Sequence, residues 1–357
     1  MNPKAKSMTI TGARFPGRYL QGPGVLSRLG DEVALLGQAG FAILDGSVFD
    51  RFEPMVCAAC PDVTLVRHLG ECSESEISRL QTLATSAGVI IGVGGGKALD
   101  TAKAVAHALG RPLILVPTIA ASDAPCSALA VVYTDEGKVA FDMFLPRNPD
   151  LVLADTAIIA SAPARFLAAG IGDALATWYE AESCRLSGVP NFMGTRPVSL
   201  AHMISRLCLD VVLEFGPAAL AECDTKTPGP ALERVVEANI LLSGIGFESC
   251  GVAGAHAIHH GLCELDDVHH HLHGEKVTIG VLATLLMQGR EAEFLETRDF
   301  CTSVRLPVRL SDIGIHDATD AKLAIVAARA CRPGEIMYNE PEGMTEAIVI
   351  AALKRLI

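Results

Sequence analysis

Short apolar runs alternate with helical stretches through the first part of the chain. Phe41–Leu44 ends at Asp45-Gly46, Val63–Val66 follows Pro61-Asp62, and Leu113–Val116 lies between Arg111-Pro112 and Pro117. Gly88–Val93 is apolar without a break, the pattern of a strand buried on both faces. Leu99–Leu109 repeats at helical spacing, and Ala128–Tyr133 and Leu151–Ala154 complete the strand-like runs. Strands that alternate with helices predict an α/β region built on a parallel sheet.

From about Pro163 the texture changes. Helical periodicity runs through Ala164–Cys184, Ser199–Phe215, Ala231–Glu248, Gly254–Cys263 and Lys276–Gln288, with Gly/Pro punctuation between them. The pattern therefore divides the 357 residues into an α/β domain, 1–162, and a helical domain, 163–357. Composition narrows the function classes. Lys and Arg number 29 against 41 Asp and Glu, a net charge of -12, which argues against a nucleic-acid binder. Leu151–Gly170, the richest apolar stretch, is interrupted by Asp155 and Arg165, so no membrane span is expected. Met1–Gly24 carries Lys4, Lys6, Arg14 and Arg18 without the apolar core of a signal peptide. Eleven scattered cysteines suit reduced thiols and a cytoplasmic enzyme. Cys57 and Cys60 have no second C-x-x-C and read as structural.

Four features carry chemistry. Val89–Asp100 reads strand, glycine turn, helix, so that backbone N–H groups and a helix N-terminus face an anion while Lys97 adds a charge. It is neither a Walker A loop nor a clean G-x-G-x-x-G, and a turn that needs glycine only for packing is the competing reading. Asp45, at the end of an earlier strand, suits a ribose diol and would repel a 2′-phosphate, although a solvated turn aspartate followed by glycine is the more common explanation of such a residue. Seven of the eleven histidines lie between 256 and 273, which points to metal binding or proton transfer. His256 and His260, and His269 and His273, are spaced to share helix faces, but spacing alone does not select the ligands. Asp173, among small and apolar neighbours, is either a further ligand or a helix N-terminal acid.

Four ordered segments bring these features together: Gly94–Lys103, Pro117–Ser127, Ala168–Trp178, and Gly244–Ser249 continuing through His256 to Val277. On these segments the chain resembles the glycerol dehydrogenases of the iron-containing (group III) alcohol dehydrogenase superfamily, which is related to dehydroquinate synthase. The resemblance implies a Rossmann-like NAD-binding domain and an all-helical domain, in the two-domain arrangement of dehydroquinate synthase, with the active site in the cleft. It places zinc, one ion per subunit with iron(II) as the alternative, on Asp173, His256 and His273. It places NAD on Asp45, Gly95, Gly96, Lys97, Asp100, Thr118, Ala121, Ser127, Leu129 and Tyr133, and the polyol on Asp123 and Phe247.

The implied reaction is oxidation of glycerol to dihydroxyacetone, and its reverse, by hydride transfer to NAD from a metal-held alkoxide. The implied partners are a small polyol and further copies of the same chain. The sequence departs from the family at His260 (usually Asn), His271-Leu272 (usually an aromatic pair), Cys250 (usually Gly) and Ala121 (often Ser). These changes leave a sibling dehydrogenase for another vicinal diol, amino alcohol or hydroxyketone as the alternative. A lyase that uses NAD transiently, and a metal-binding protein without turnover, are the readings from other classes. Water or His260 is the expected route for the departing proton.

Overall fold

The uninterrupted apolar runs become inner strands of a six-stranded parallel sheet. The computed structural model describes residues 10–341 and 343–357. Residues 1–9, with Lys4 and Lys6 of the N-terminal stretch, lie outside the described residues. The strands are β1 (Tyr19–Gly22), β2 (Gly40–Asp45), β3 (Thr64–His68), β4 (Val89–Gly94), β5 (Leu113–Pro117), and, after a hairpin β6 (Leu129–Tyr133)–β7 (Val139–Phe144), β8 (Leu151–Asp155). Their order in the sheet is β1-β8-β5-β4-β2-β3. Helices α1 (Leu29–Leu36), α2 (Phe49–Ala59), α3 (Glu74–Leu83) and α4 (Gly96–Leu109) connect them.

Alternate side chains of each inner strand enter opposite cores, as the period of two requires. Phe41, Ile43 and Ile90 pack with Leu80 of α3 and Leu99 and Val105 of α4. Ala42, Leu44, Ile91 and Val93 pack with Leu29 and Val33 of α1 and Phe52 and Val56 of α2. Burying each such Leu, Ile or Phe contributes about 1.5–3 kcal/mol. β8 is shared: Leu151 and Leu153 join the sheet core, while Val152 and Ala154 join the core of the helices that follow. The chain steps from β2 out to β3 and back across to β4, so the strand order reverses between β2 and β4. Ligands of open α/β sheets bind in the crevice at such a point, outside the carboxyl ends of the strands.

After β8 the described structure is helical apart from a two-residue bridge, Thr11–Gly12 with Arg196–Pro197. The elements are α5 (Thr156–Ser161), α6 (Ala164–Ser187), α7 (Ser199–Asp224), α8 (Pro230–Glu237), a π-helical turn at Ala238–Leu242, α9 (Ser243–Cys250), α10 (Gly254–Leu262), α11 (His273–Met287), α12 (Glu291–Ser303), α13 (Asp320–Ala330) and α14 (Glu346–Lys354). Among the described residues no single helix is long and apolar enough to cross a membrane.

One expected strand belongs elsewhere. Ala128–Tyr133 does not enter the parallel sheet; β6 pairs antiparallel with β7. The reason lies in its pattern: Ala130 and Val132 are buried while Leu129, Val131 and Tyr133 are half-buried, the alternation of a strand covered on one face. The spacing of His269 and His273 also misleads, since His273 opens α11 and His269 lies outside it on the surface.

Candidate active site

The glycine turn stands where the strand order reverses. Gly94 has φ +150°, and a Cβ there would lie 2.5 Å from the Cβ of Asp45, so the turn can close onto the end of β2 only as glycine. Gly96 opens α4, and a Cβ on it would meet nothing within 4 Å. Its backbone is therefore free to receive a ligand at the helix N-terminus. Gly95, Gly96, Ile119, Ala121 and Ser122 line a groove beside it. Asp45 holds Ser47 through its N–H (2.9 Å) and its hydroxyl (2.7 Å), and its other oxygen lies 3.5 Å from the Gly95 nitrogen. Lys97 Nζ reaches Glu71 at 2.5 Å and stands 5.0 Å over the Tyr133 ring. Buried Thr118 donates its N–H to the Gly94 carbonyl at 3.0 Å.

Across the cleft, three helices each bring one donor. Asp173 of α6, His256 of α10 and His273 of α11 place ligand atoms within 4.8 Å of one another. Asp173 Oδ1 lies 3.1 Å from His273 Nε2 and 3.6 Å from His256 Nε2. Asp173 is the tenth residue of α6, which removes the helix N-terminal explanation for it. Glycines let the helices approach so closely. A Cβ at Gly274 would stand 1.8 Å from the Ala169 carbonyl of α6, and one at Gly280 would stand 2.2 Å from the Ala255 carbonyl of α10. Gly274→Ala is therefore expected to force α11 away from α6. A loss of about 1–3 kcal/mol of stability should follow, read by thermal unfolding, together with weaker metal retention because His273 moves too.

Every donor has its other polar atom anchored. Glu180, buried on the same face of α6, accepts the N–H groups of Ala253 and His256 at 2.9 Å each and caps α10. Its second oxygen lies 2.6 Å from His256 Nδ1, which leaves Nε2 facing Asp173. His273 Nδ1 meets His259 Nε2 at 3.2 Å, and Asp173 Oδ2 accepts the Asp123 N–H at 3.2 Å. Burial alone would raise Asp173, but the neighbouring His273 and His256 outweigh it and hold the carboxyl below its usual range. Burial, and then the charge of Asp173, pushes Asp123 well above that range. One carboxylate and two imidazole nitrogens, each oriented through its second atom, fit a divalent cation and leave room for a further ligand.

Asp123 lies on the segment that leaves β5, and several groups hold that segment. Ser243 Oγ donates to Asp123 Oδ2 at 3.1 Å and is itself 2.8 Å from Thr177 Oγ1. Asn239, in the π-helical turn, donates to the carbonyls of Ala120 and Leu167. From beneath, fully buried Lys103 donates to the Ala124 and Leu129 carbonyls at 2.6 Å each and lies 2.9 Å from Asp100 Oδ1 and 3.4 Å from Ser127 Oγ. Asp100 Oδ2 accepts the Val131 N–H at 3.0 Å, so both its oxygens face the segment. Glu248 accepts the Ala128 N–H from the helical side at 3.0 Å. Phe247 is buried one helical turn beyond Ser243, edge-on to Phe192 at 5.4 Å.

His260 points away from the donor set, with Nδ1 3.2 Å from Glu335. The sequence pattern assigns no role to Glu180, Lys103, Asn239 or Ser243, and holds His259 only as one member of the histidine cluster. Two of them carried a periodic signal: Glu180 follows Asp173 by seven residues, and His259 follows His256 by three, each on its partner's helix face. Cys57 is exposed and Cys60 buried at the end of α2, and all eleven cysteines are unpaired.

The profile of the family described as iron-containing alcohol dehydrogenase matches residues 16–156. Glycerol dehydrogenase of Thermotoga maritima is 47% identical over 350 residues, covering 97% of this chain and 96% of that protein. Glycerol dehydrogenase of Escherichia coli is 46% identical over 345 residues, 95% of this chain and 94% of the relative. The crystal structure of a probable glycerol dehydrogenase from Sinorhizobium meliloti superposes with a TM-score of 0.93 at 42% identity, covering 97% of this chain and 98% of the other.

Proposed function

Because the chain belongs to the iron-containing alcohol dehydrogenases, in their glycerol dehydrogenase branch, we propose that Asp173, His256 and His273 hold the ion at which glycerol is oxidised to dihydroxyacetone. The reaction is NAD-linked oxidoreduction of a small polyol at a secondary CH–OH. The ion we propose is zinc, with iron(II) as the alternative. A bound divalent ion supplies Lewis acidity to a coordinated hydroxyl, and NAD supplies the hydride acceptor.

The observation that carries this assignment is the hydrogen bond that ties the nucleotide-side segment directly to the donor set. Asp123, on the segment that continues from the nucleotide side, donates its N–H to Asp173 of the donor set. Asp45 would take the adenosine ribose, while Gly95, Gly96 and Lys97 would take the pyrophosphate at the start of α4. Thr118, Ala121, Ser127, Leu129 and Tyr133 would line the nicotinamide arm, with Asp100 steadying that arm from beneath. Asp123 would orient a second hydroxyl of the polyol, against a wall formed by Phe247. We assign 1–162 to NAD and 163–357 to metal and substrate. A cytoplasmic location is supported by the unpaired thiols, and assembly into a homo-oligomer follows the family.

The test is NADH formation with glycerol and with 1,2-propanediol, before and after chelation and again after zinc is restored. Turnover that disappears on chelation and returns with zinc is expected. Undiminished turnover by fully metal-free protein would overturn the assignment, as would consumption of substrate with no NADH released.

A further inference from the structure

We infer that His259, which lies outside the Asp173–His256–His273 donor set, is the positioning residue that fixes the ring of His273 for metal binding. The inference rests on the Asp173–His256–His273 reading and adds a fourth histidine to it. A neutral imidazole that ligates through Nε2 must carry its proton on Nδ1. His273 Nε2 is the nitrogen aimed at Asp173, so its Nδ1–H donates across 3.2 Å to His259 Nε2. His259 then carries its own proton on Nδ1, a buried atom with no partner among the described residues. The two rings meet edge to face, 4.4 Å between centroids at 69°. Cys263 Sγ, one turn along α10, stands 3.5 Å from the same His259 nitrogen and flanks the ring. His256 is oriented by a carboxylate, Glu180. His273 is half-exposed and opens its helix, and among the described residues its Nδ1 meets the His259 ring. Loss of such an outer partner weakens metal binding by about 10–100-fold.

Three substitutions separate hydrogen bonding from packing. Glutamine can place its side-chain oxygen where His259 Nε2 stands, whereas asparagine reaches only the position of Nδ1. His259→Ala and His259→Asn are expected to raise the zinc dissociation constant, measured against a competing chelator, by about 10–100-fold. His259→Gln should stay within a few fold of the unmodified protein, and saturating zinc should restore most of the turnover in all three. Zinc affinity unchanged in His259→Ala would overturn the inference, as would glutamine binding no better than alanine. If alanine unfolds the protein, the comparison of glutamine with asparagine decides alone. Should Asp173→Asn leave zinc binding intact, the donor set itself is misassigned, and that failure is distinguishable from a failure of His259.

Discussion

Asp173→Asn is expected to remove metal and turnover together, with kcat/KM for glycerol falling on the order of a thousandfold or more and no recovery on adding zinc. The magnitude follows from what Lewis-acid stabilisation is worth, several kcal/mol at the transition state, with every 1.36 kcal/mol a factor of ten. Asparagine is nearly the same size, and its side-chain oxygen can still accept the Asp123 N–H that Asp173 Oδ2 accepts now. The fold therefore has no reason to change. What disappears is the only anionic donor of the set, the oxygen that faces both His256 and His273. Metal content by elemental analysis, kcat/KM, and NADH binding by fluorescence form the check. Nucleotide binding should persist, because the glycine turn and Asp45 lie on the other side of the cleft. A variant that keeps its metal and most of its turnover would falsify the assignment of Asp173.

Much of this architecture is visible in the residues, for physical reasons that also explain what is not. Strands buried on both faces must be apolar at every position, so Val89–Gly94 and Leu113–Pro117 announce themselves. The hairpin is harder to place. β7 is almost wholly exposed, and an exposed strand carries no hydrophobic period to read. The donor set was legible only in part. The histidine cluster suggests metal, but which histidines converge depends on how closely α6, α10 and α11 approach, and that is decided by Gly274 and Gly280, glycines that carry no chemistry. His260 shows the limit of spacing: four residues from His256 it shares the helix, yet its ring turns to Glu335. The supporting groups are the least legible. Lys103 reads as an ordinary cation in an alanine-rich helix, and only the packed structure shows it enclosed with four oxygen partners.

Those supports explain how a segment from the N-terminal half is held against the Asp173–His256–His273 donor set. Lys103 and Asp100 fix the segment to α4, whose N-terminus would receive the nucleotide phosphates. Glu248, Ser243 and Asn239 fix the same stretch of chain to the helical side. Asp123 is thus held between the two halves, and on the proposed reading its side chain would meet a second hydroxyl of the substrate while its backbone N–H steadies Asp173.

Asp123→Ala should therefore separate polyols from simple alcohols. With glycerol or 1,2-propanediol, loss of a hydrogen bond to this half-buried acidic group costs about 1.5–3 kcal/mol, or roughly a 10- to 150-fold fall in kcat/KM. A monohydric secondary alcohol such as 2-propanol has no second hydroxyl to lose, so its kcat/KM should change little. The backbone N–H to Asp173 survives the substitution, and metal content should stay at the level of the unmodified protein. Equal losses on diol and monohydric alcohol would sink the recognition role. Asp123 would then serve the site only by shaping the segment that Ser243 and Lys103 hold, and diol selectivity would have to come from the wall around Phe247.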